Sequence, residues 1–328
     1  MNLGFFCANY AHLSIEEVAK IASSNGYEML EIPAYIGNGQ LECDEVIKDN
    51  NAKKITDMVK SYNLGISALS NHADSLLILG PHTEDTDGIY KGTKEEKIKY
   101  GTESLIRTAQ AANALQVPVV NGFTGVTNWG RYFPFPNARG WKDMEQEFVE
   151  RFVPILDKFK EYGVKFAVEP HPNNFIYDIH TAKRALELVD NHPALGFNLD
   201  PANIMCLGGV LVENFIDELG DRIFHVHAKD GEIVTHNIQR GGIMMQGDWQ
   251  RLDRSFRFRI PGWGSVDWKK VITELALVGY DYALSYEHED VTMSVGDGVE
   301  KVAAYLKPLL IKAPYEGRRD KIFNNPRE

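Results

Sequence analysis

Glu169, Asp200, His227 and Glu287 are the side chains with the types and spacing to do chemistry together. Each closes a short apolar run of alternating pattern: Val164–Glu169, Leu195–Asp200, Arg222–His227 and Tyr282–Glu287. Three carboxylates and an imidazole gathered at one place would repel one another unless something compensates their charge. A divalent cation does so, and a mixed oxygen and nitrogen ligand set suits Mn²⁺, Mg²⁺, Co²⁺ or Zn²⁺. Any one of these residues alone is an ordinary polar side chain at the end of a strand. Four in equivalent places are not.

The elements that must position them follow from the alternation. In extended backbone, successive side chains point to opposite faces. Phe166 and Val168 therefore share one face while Glu169 and His171 share the other. Phe197 and Leu199 oppose Gly196, Asn198 and Asp200; Phe224 and Val226 oppose Ile223, His225 and His227; Leu284 and Tyr286 oppose Ala283, Ser285 and Glu287. Earlier strands are expected at Leu3–Cys7, Tyr27–Ile32, Gly65–Ser70 and Val117–Asn121. Helical patterns lie between, at Ser14–Asn25, Glu45–Tyr62, Lys94–Ala114, Met144–Tyr162, Thr181–Asn191 and Val266–Val278, with caps expected at Ser14 and Ser265.

Eight strands alternating with helices predict an α/β fold of the (β/α)8 TIM-barrel type, whose chemistry sits at the C-terminal ends of its strands. The first strand lacks the glycine-rich turn of a dinucleotide fold. No linker divides the chain, so residues 1–312 read as one catalytic barrel followed by a polar tail, 313–328. Two connections are long: Thr124–Asp143 after the fourth strand and Ala228–Ser265 after the seventh. The former carries Trp129, Tyr132, Phe133, Phe135 and Trp141 with Pro134 and Pro136. Such a loop either covers the mouth and stacks on a ligand or packs on the barrel or another subunit. The latter carries Lys229, Arg240, Arg251, Arg254, Arg257 and Arg259 against four acids, a local cationic excess that could meet an anionic group or an acidic surface.

Composition narrows the function classes. The 328 residues carry 46 Asp and Glu against 35 Lys and Arg, a net charge of −11, which argues against non-specific binding of nucleic-acid phosphates. Cys7, Cys43 and Cys206 are too few and too scattered for a disulfide framework. No apolar run approaches a membrane span, and the N-terminus does not read as a signal peptide, so a cytoplasmic location is expected.

Several motifs together resemble one family. They are Val168-Glu169-Pro170-His171-Pro172, Asn198-Leu199-Asp200-Pro201, His225-Val226-His227-Ala228-Lys229-Asp230, Arg259-Ile260-Pro261-Gly262-Trp263-Gly264 and Tyr286-Glu287-His288-Glu289-Asp290. They resemble the xylose-isomerase-like TIM barrels, which include sugar isomerases and epimerases. The resemblance implies one divalent ion, Mn²⁺ above the others, held by Glu169, Asp200, His227 and Glu287. It makes Glu169 and Glu287 the acid and base of a proton transfer on a sugar or keto-sugar, through an enediolate stabilised by the ion. It places Arg259 on substrate hydroxyls and implies a homo-oligomer.

His171 shares the parity of Glu169 and is either a substrate contact and proton carrier or a structural histidine. His225, deeper, reads as packed inside the barrel, and His288 and Glu289 as solvated or supporting the ligands. Lys229 is a candidate substrate contact, although an ion pair with Asp230 is the more expected arrangement. Asn203 stands where many relatives carry a histidine; it can bind a hydroxyl or a water but cannot shuttle protons.

Three other functions compete with isomerisation. A lyase acting on 3-keto-glycosides, as in the C-glycoside-cleaving enzymes, would use the same ion, His171 and a small partner subunit, and the aromatic loop favours a bulky aglycone. Trp129 is a candidate substrate contact in either case. A DNA-repair enzyme like endonuclease four needs further histidines: His72 matches one, whereas Asn121 and Asn203 stand where that pattern wants others. A barrel that has lost catalysis would serve as a scaffold.

Overall fold

The computed structural model describes residues 1–35, 40–127, 141–243, 247–248 and 251–313. Eight parallel strands close a barrel: β1 (Asn2–Phe6), β2 (Met29–Pro33), β3 (Gly65–Ser70), β4 (Val119–Gly122), β5 (Lys165–Val168), β6 (Leu195–Leu199), β7 (Ile223–Ala228) and, last in the chain, β10 (Ala283–Tyr286). Strand β10 pairs with β1 and with β7, so that no barrel edge is left open. The protein is a single-domain (β/α)8 barrel, as the strand count predicts.

Helices cover the outside. Ser14 caps Ile15–Ser24 through a reciprocal bond with Glu17, and Thr93 does the same with Glu96 at the start of Lys94–Leu115. The expected helix 45–62 is two, Cys43–Ile47 and Asn51–Ser61, because Asp49 adopts a left-handed conformation between them. The cap expected at Ser265 falls on Asp267, whose side chain accepts from the Lys270 amide ahead of Trp268–Leu277. The outward faces of the strands meet the helices in one large apolar core in which Phe152 stacks on Phe166 and Phe197 meets Phe215 edge-on.

Strict alternation fails once in the strands that carry the site. Pairing between β6 and β7 slips at Phe197/Asn198, leaving Phe224 without a partner position. Phe224, expected beneath the helices, instead packs inside with Ala68, Val119, Ala167 and Tyr282, forming the apolar floor of the barrel. The bulge restores register above it, so His225 and His227 still point inward.

The connection after β7 is not plain loop. It folds back as an antiparallel hairpin, β8 (Asp230–Ile233) with β9 (Phe256–Arg259). Of the aromatic connection after β4, Trp141 packs on the barrel, stacked on Phe175 at 4.2 Å. Trp129, Tyr132, Phe133 and Phe135 lie outside the described residues, as does the expected tail beyond Ala313.

Candidate metal centre

Ring closure puts β5, β6, β7 and β10 side by side along one arc of the mouth. Glu169, Asp200 and Glu287 each follow the last residue of a strand, and His227 is the penultimate residue of β7. Glu169 and Glu287 thus stand at the two ends of the arc, with Asp200 and His227 between them. One ligand atom from each lies within 4.8 Å of all the others. Atoms on opposite sides of an ion with bonds of about 2.0–2.2 Å stand about 4.0–4.4 Å apart, so the four need at most a shift of about 0.4 Å to share a centre.

His227 carries the strongest sign of what belongs there. The residue is fully buried, and its Nε2 lies 3.1 and 3.0 Å from the two carboxylate oxygens of Glu31. Its Nδ1 stands 3.0 Å from Glu169 Oε2, 3.2 Å from Glu287 Oε2 and 4.0 Å from Asp200 Oδ2, yet none of these is in line for a hydrogen bond. A buried ring nitrogen among three carboxylates without a hydrogen bond is placed as a ligand is placed. The donor set and the unpartnered nitrogen fit a divalent cation.

The carboxylates are held individually. Asn203 Nδ2 donates to Glu169 Oε1 at 2.5 Å and to Asp200 Oδ2 at 3.1 Å, while Asn198 Nδ2 donates to Glu169 Oε2 at 3.0 Å. His72 Nε2 lies 3.1 Å from the same oxygen. Glu287 has a different partner, the ammonium of Lys229, which also stands 2.9 Å from Asp200 Oδ2 and Glu289 Oε2. Lys229 is buried and lies over the Phe258 ring at 4.7 Å.

Lys229 therefore does not pair with Asp230. The Asp230 carboxylate accepts from the amides of Gly231, Gly262 and Val266 and from the Trp268 indole, tying the hairpin to the segment after it. Neighbours along extended backbone face opposite ways, which separates the two charges.

Electrostatics divide the acids. Burial would raise Glu287, but Lys229 and His227 overcome it and bring its pKa to about 2. Burial also opposes ionisation of Glu169, and the charges of His227 and His72 hold it well below the usual range. Asp200 is pushed up to about 7 by burial, with Lys229 opposing and Glu169 and Glu287 reinforcing. Lys229 and a protonated His227 are the cations that offset these acids.

Above the centre lies a cavity of about 340 Å3, within the range of small-molecule sites. Glu169, Glu287, His72, His171, Asn203, Lys229 and Glu289 line it, facing Phe6, Tyr35, Phe123 and Phe258. The Nδ1 of His171 lies 2.6 Å from the Pro172 carbonyl, so it carries the proton and leaves Nε2 with a lone pair. Arg259 is not among the described residues lining the cavity. Its guanidinium is spent on Asp290 at 2.9 Å and Glu232 at 3.0 Å.

Sequence reasoning named His72 only as a match to the endonuclease-four pattern, and passed over Glu31 and Asn198 as partners of the ligands. His225 is inside the barrel as expected, buried against Ser67, Asn121 and Asn198.

A sequence model of xylose isomerase-like TIM barrels matches residues 19–309. The uncharacterized protein YfiH of Bacillus subtilis strain 168 is 24% identical over 320 residues, which span 94% of this chain and 98% of that one. Among solved structures, the IOLI protein with a bound zinc atom superposes with a TM-score of 0.67 at 17% identity, covering 97% of this chain and all of the other. The 3-keto-D-glucoside 4-epimerase of E. coli gives 0.63 at 16% identity over 94% of this chain and 99% of its own. At these identities the structural likeness is one of fold.

Proposed function

The chain belongs to the xylose isomerase-like TIM barrel family, and we propose that it is a divalent-metal-dependent isomerase or epimerase of sugars or keto-sugars. The observation that carries this reading is His227 Nδ1, buried and without a hydrogen bond amid Glu169, Asp200 and Glu287. Those four residues would hold the ion, with Mn²⁺ the first choice among Mn²⁺, Mg²⁺, Co²⁺ and Zn²⁺. When bound, it supplies the Lewis acidity that polarises a carbonyl and acidifies the neighbouring C–H.

The chain's own residues do the rest. In this reading Glu169 and Glu287, from opposite ends of the arc, take a proton from carbon and return one. Asn203, at the cavity wall, donates through its side-chain nitrogen to Glu169 and Asp200 and so orients both acids. Phe6, Phe123 and Phe258 give apolar walls on which the C–H face of a sugar can rest. The zinc of the IOLI structure and the keto-glucoside of the E. coli epimerase support this reading by analogy of fold.

His171 favours a second reading, a lyase on 3-keto-glycosides. Its proton sits on Nδ1, so Nε2 can act as a base in the same cavity, and the product would form by loss of a neighbouring substituent instead of reprotonation. Incubating the Mn²⁺-loaded chain in D2O with free sugars, sugar phosphates and 3-keto-glycosides tests both. Deuterium in recovered substrate or its epimer supports the isomerase; an unsaturated or cleaved product, above all with a small co-purifying chain, supports the lyase. No exchange and no product from any class would overturn the acidified C–H common to both.

A further inference from the structure

Glu31 sits on β2, across the barrel from the ligand arc and 196 residues from His227, yet it makes the one contact that decides which histidine nitrogen faces the ligands. It is fully buried. Both its oxygens lie on His227 Nε2, at 3.1 and 3.0 Å, and Asn121 Nδ2 donates to Oε1 at 2.8 Å. A carboxylate can only accept, so Nε2 keeps its proton, and once the ring gives up its second proton to coordinate, the lone pair is on Nδ1. The ring plane is held as well, because Phe6 stacks on His227 with centroids 5.5 Å apart and planes 27° from parallel.

We propose that Glu31 is a positioning residue of the metal centre: by binding the Nε2 proton of His227 it fixes the tautomer and the ring so that Nδ1 is presented to the ion. The inference rests on the metal reading above and goes beyond it, since Glu31 touches neither the cavity nor the candidate ligand atoms of Glu169, Asp200 and Glu287. A rival role exists for the same side chain. Ligand atoms of Glu31, His225 and His227 also come within 4.8 Å of one another, the geometry of a second ion deeper in the barrel. Two arrangements decide against it. The His227 nitrogen facing Glu31 is the one that must be protonated, and both His225 nitrogens are engaged, Nδ1 by Asn121 and Asn198 and Nε2 by Ser67.

The test uses the 328-residue chain and Mn²⁺ alone, followed by calorimetry, with E31Q as the variant. The carboxamide keeps the shape of Glu31 and removes its charge. One Mn²⁺ per wild-type chain and an affinity about 10–100-fold weaker in E31Q are expected, with the circular dichroism of the two unchanged. A second measurement needs no variant: wild-type chain with ¹⁵N-labelled histidine, loaded with ¹¹³Cd²⁺, should show cadmium coupled to an Nδ1. Equal affinity in E31Q would overturn the positioning role and leave the metal reading intact. Two ions per chain, or cadmium coupled through an Nε2, would make Glu31 a ligand instead and overturn the proposal. A wild-type chain that takes up neither ion would overturn the metal reading itself and this proposal with it.

Discussion

The side-chain nitrogen of Asn203 stands 2.5 Å from Glu169 Oε1 and bridges that carboxylate to Asp200, 3.1 Å away. A neutral amide thus does what a proton-carrying histidine would do less steadily: it donates to both acids and never takes a charge. Removing it leaves Glu169 with Asn198 and His72 on its other oxygen only. Asn203→Ala should keep the fold, because the backbone amide of residue 203 still bonds Asp200 Oδ1. The rate of solvent-deuterium exchange into substrate should fall about 10–100-fold, the usual cost of losing a group that orients a ligand. An unchanged rate would show that Glu169 is positioned without it.

The two glutamates are not equivalent, and substitution should show it. Glu169 accepts from amides on both oxygens, whereas the Lys229 ammonium holds Glu287. In Glu169→Gln, one new N–H must face donors on Asn203, Asn198 or His72, so geometry suffers along with basicity. In Glu287→Gln, Lys229 keeps Asp200 and Glu289. Each variant should lose about 10²–10⁴-fold in proton transfer, with Glu287→Gln retaining the tighter ion. Exchange rates together with Mn²⁺ titration separate the two effects, and a variant at wild-type rate would remove that glutamate from the proton path.

Loading the site with an ion should release protons. Without it, burial disfavours a charged His227, but Glu31, Glu169 and Glu287 overcome this and hold its pKa well above 6.5. Asp200 stands at about 7 for the reasons of burial and crowding given above. Both groups are protonated at low pH, and both must give up their protons to coordinate. Affinity for Mn²⁺ should therefore rise with pH, by at least about tenfold per unit between pH 6 and 7. Calorimetry in two buffers of different ionisation enthalpy counts the protons. A pH-independent affinity would contradict this charge balance.

How much of this centre is legible in the chain depends on distance along it. Glu169, Asp200, His227 and Glu287 are visible because each ends a strand whose alternation is local, and the barrel then brings the ends together. Glu31 is not, since Leu30 and Ile32 around it read as an ordinary buried strand and its partner lies 196 residues away. The available signal was a carboxylate on the inward parity of an apolar run, which must be paired if it is buried. Phe224 was misplaced for the opposite reason: a bulge depends on the neighbouring strand's register and leaves no mark on local alternation. The hairpin β8–β9 likewise joins segments whose pairing only the folded barrel defines.

Asp230 gives the most direct test of the fold beneath the site. One carboxylate satisfies four donors: the amides of Gly231 at 2.7 Å and of Gly262 and Val266 at 3.0 Å, and the Trp268 indole at 3.0 Å. It is packed so closely that a Cβ on Gly264 would stand 2.2 Å from Asp230 Oδ1, which is why only glycine serves there. The bonds anchor both the hairpin, which carries Phe258 to the cavity, and the Pro261–Gly264 turn. Asp230→Ala strands several buried donors at once, each costing about 1–3 kcal/mol when left unpaired. Stability should fall by about 3 kcal/mol or more, read as a lower urea midpoint. Asp230→Asn, which keeps the shape and one acceptor oxygen, should fall between the two. If alanine and wild type unfolded at the same urea concentration, the segment 261–268 would have to be held by packing alone.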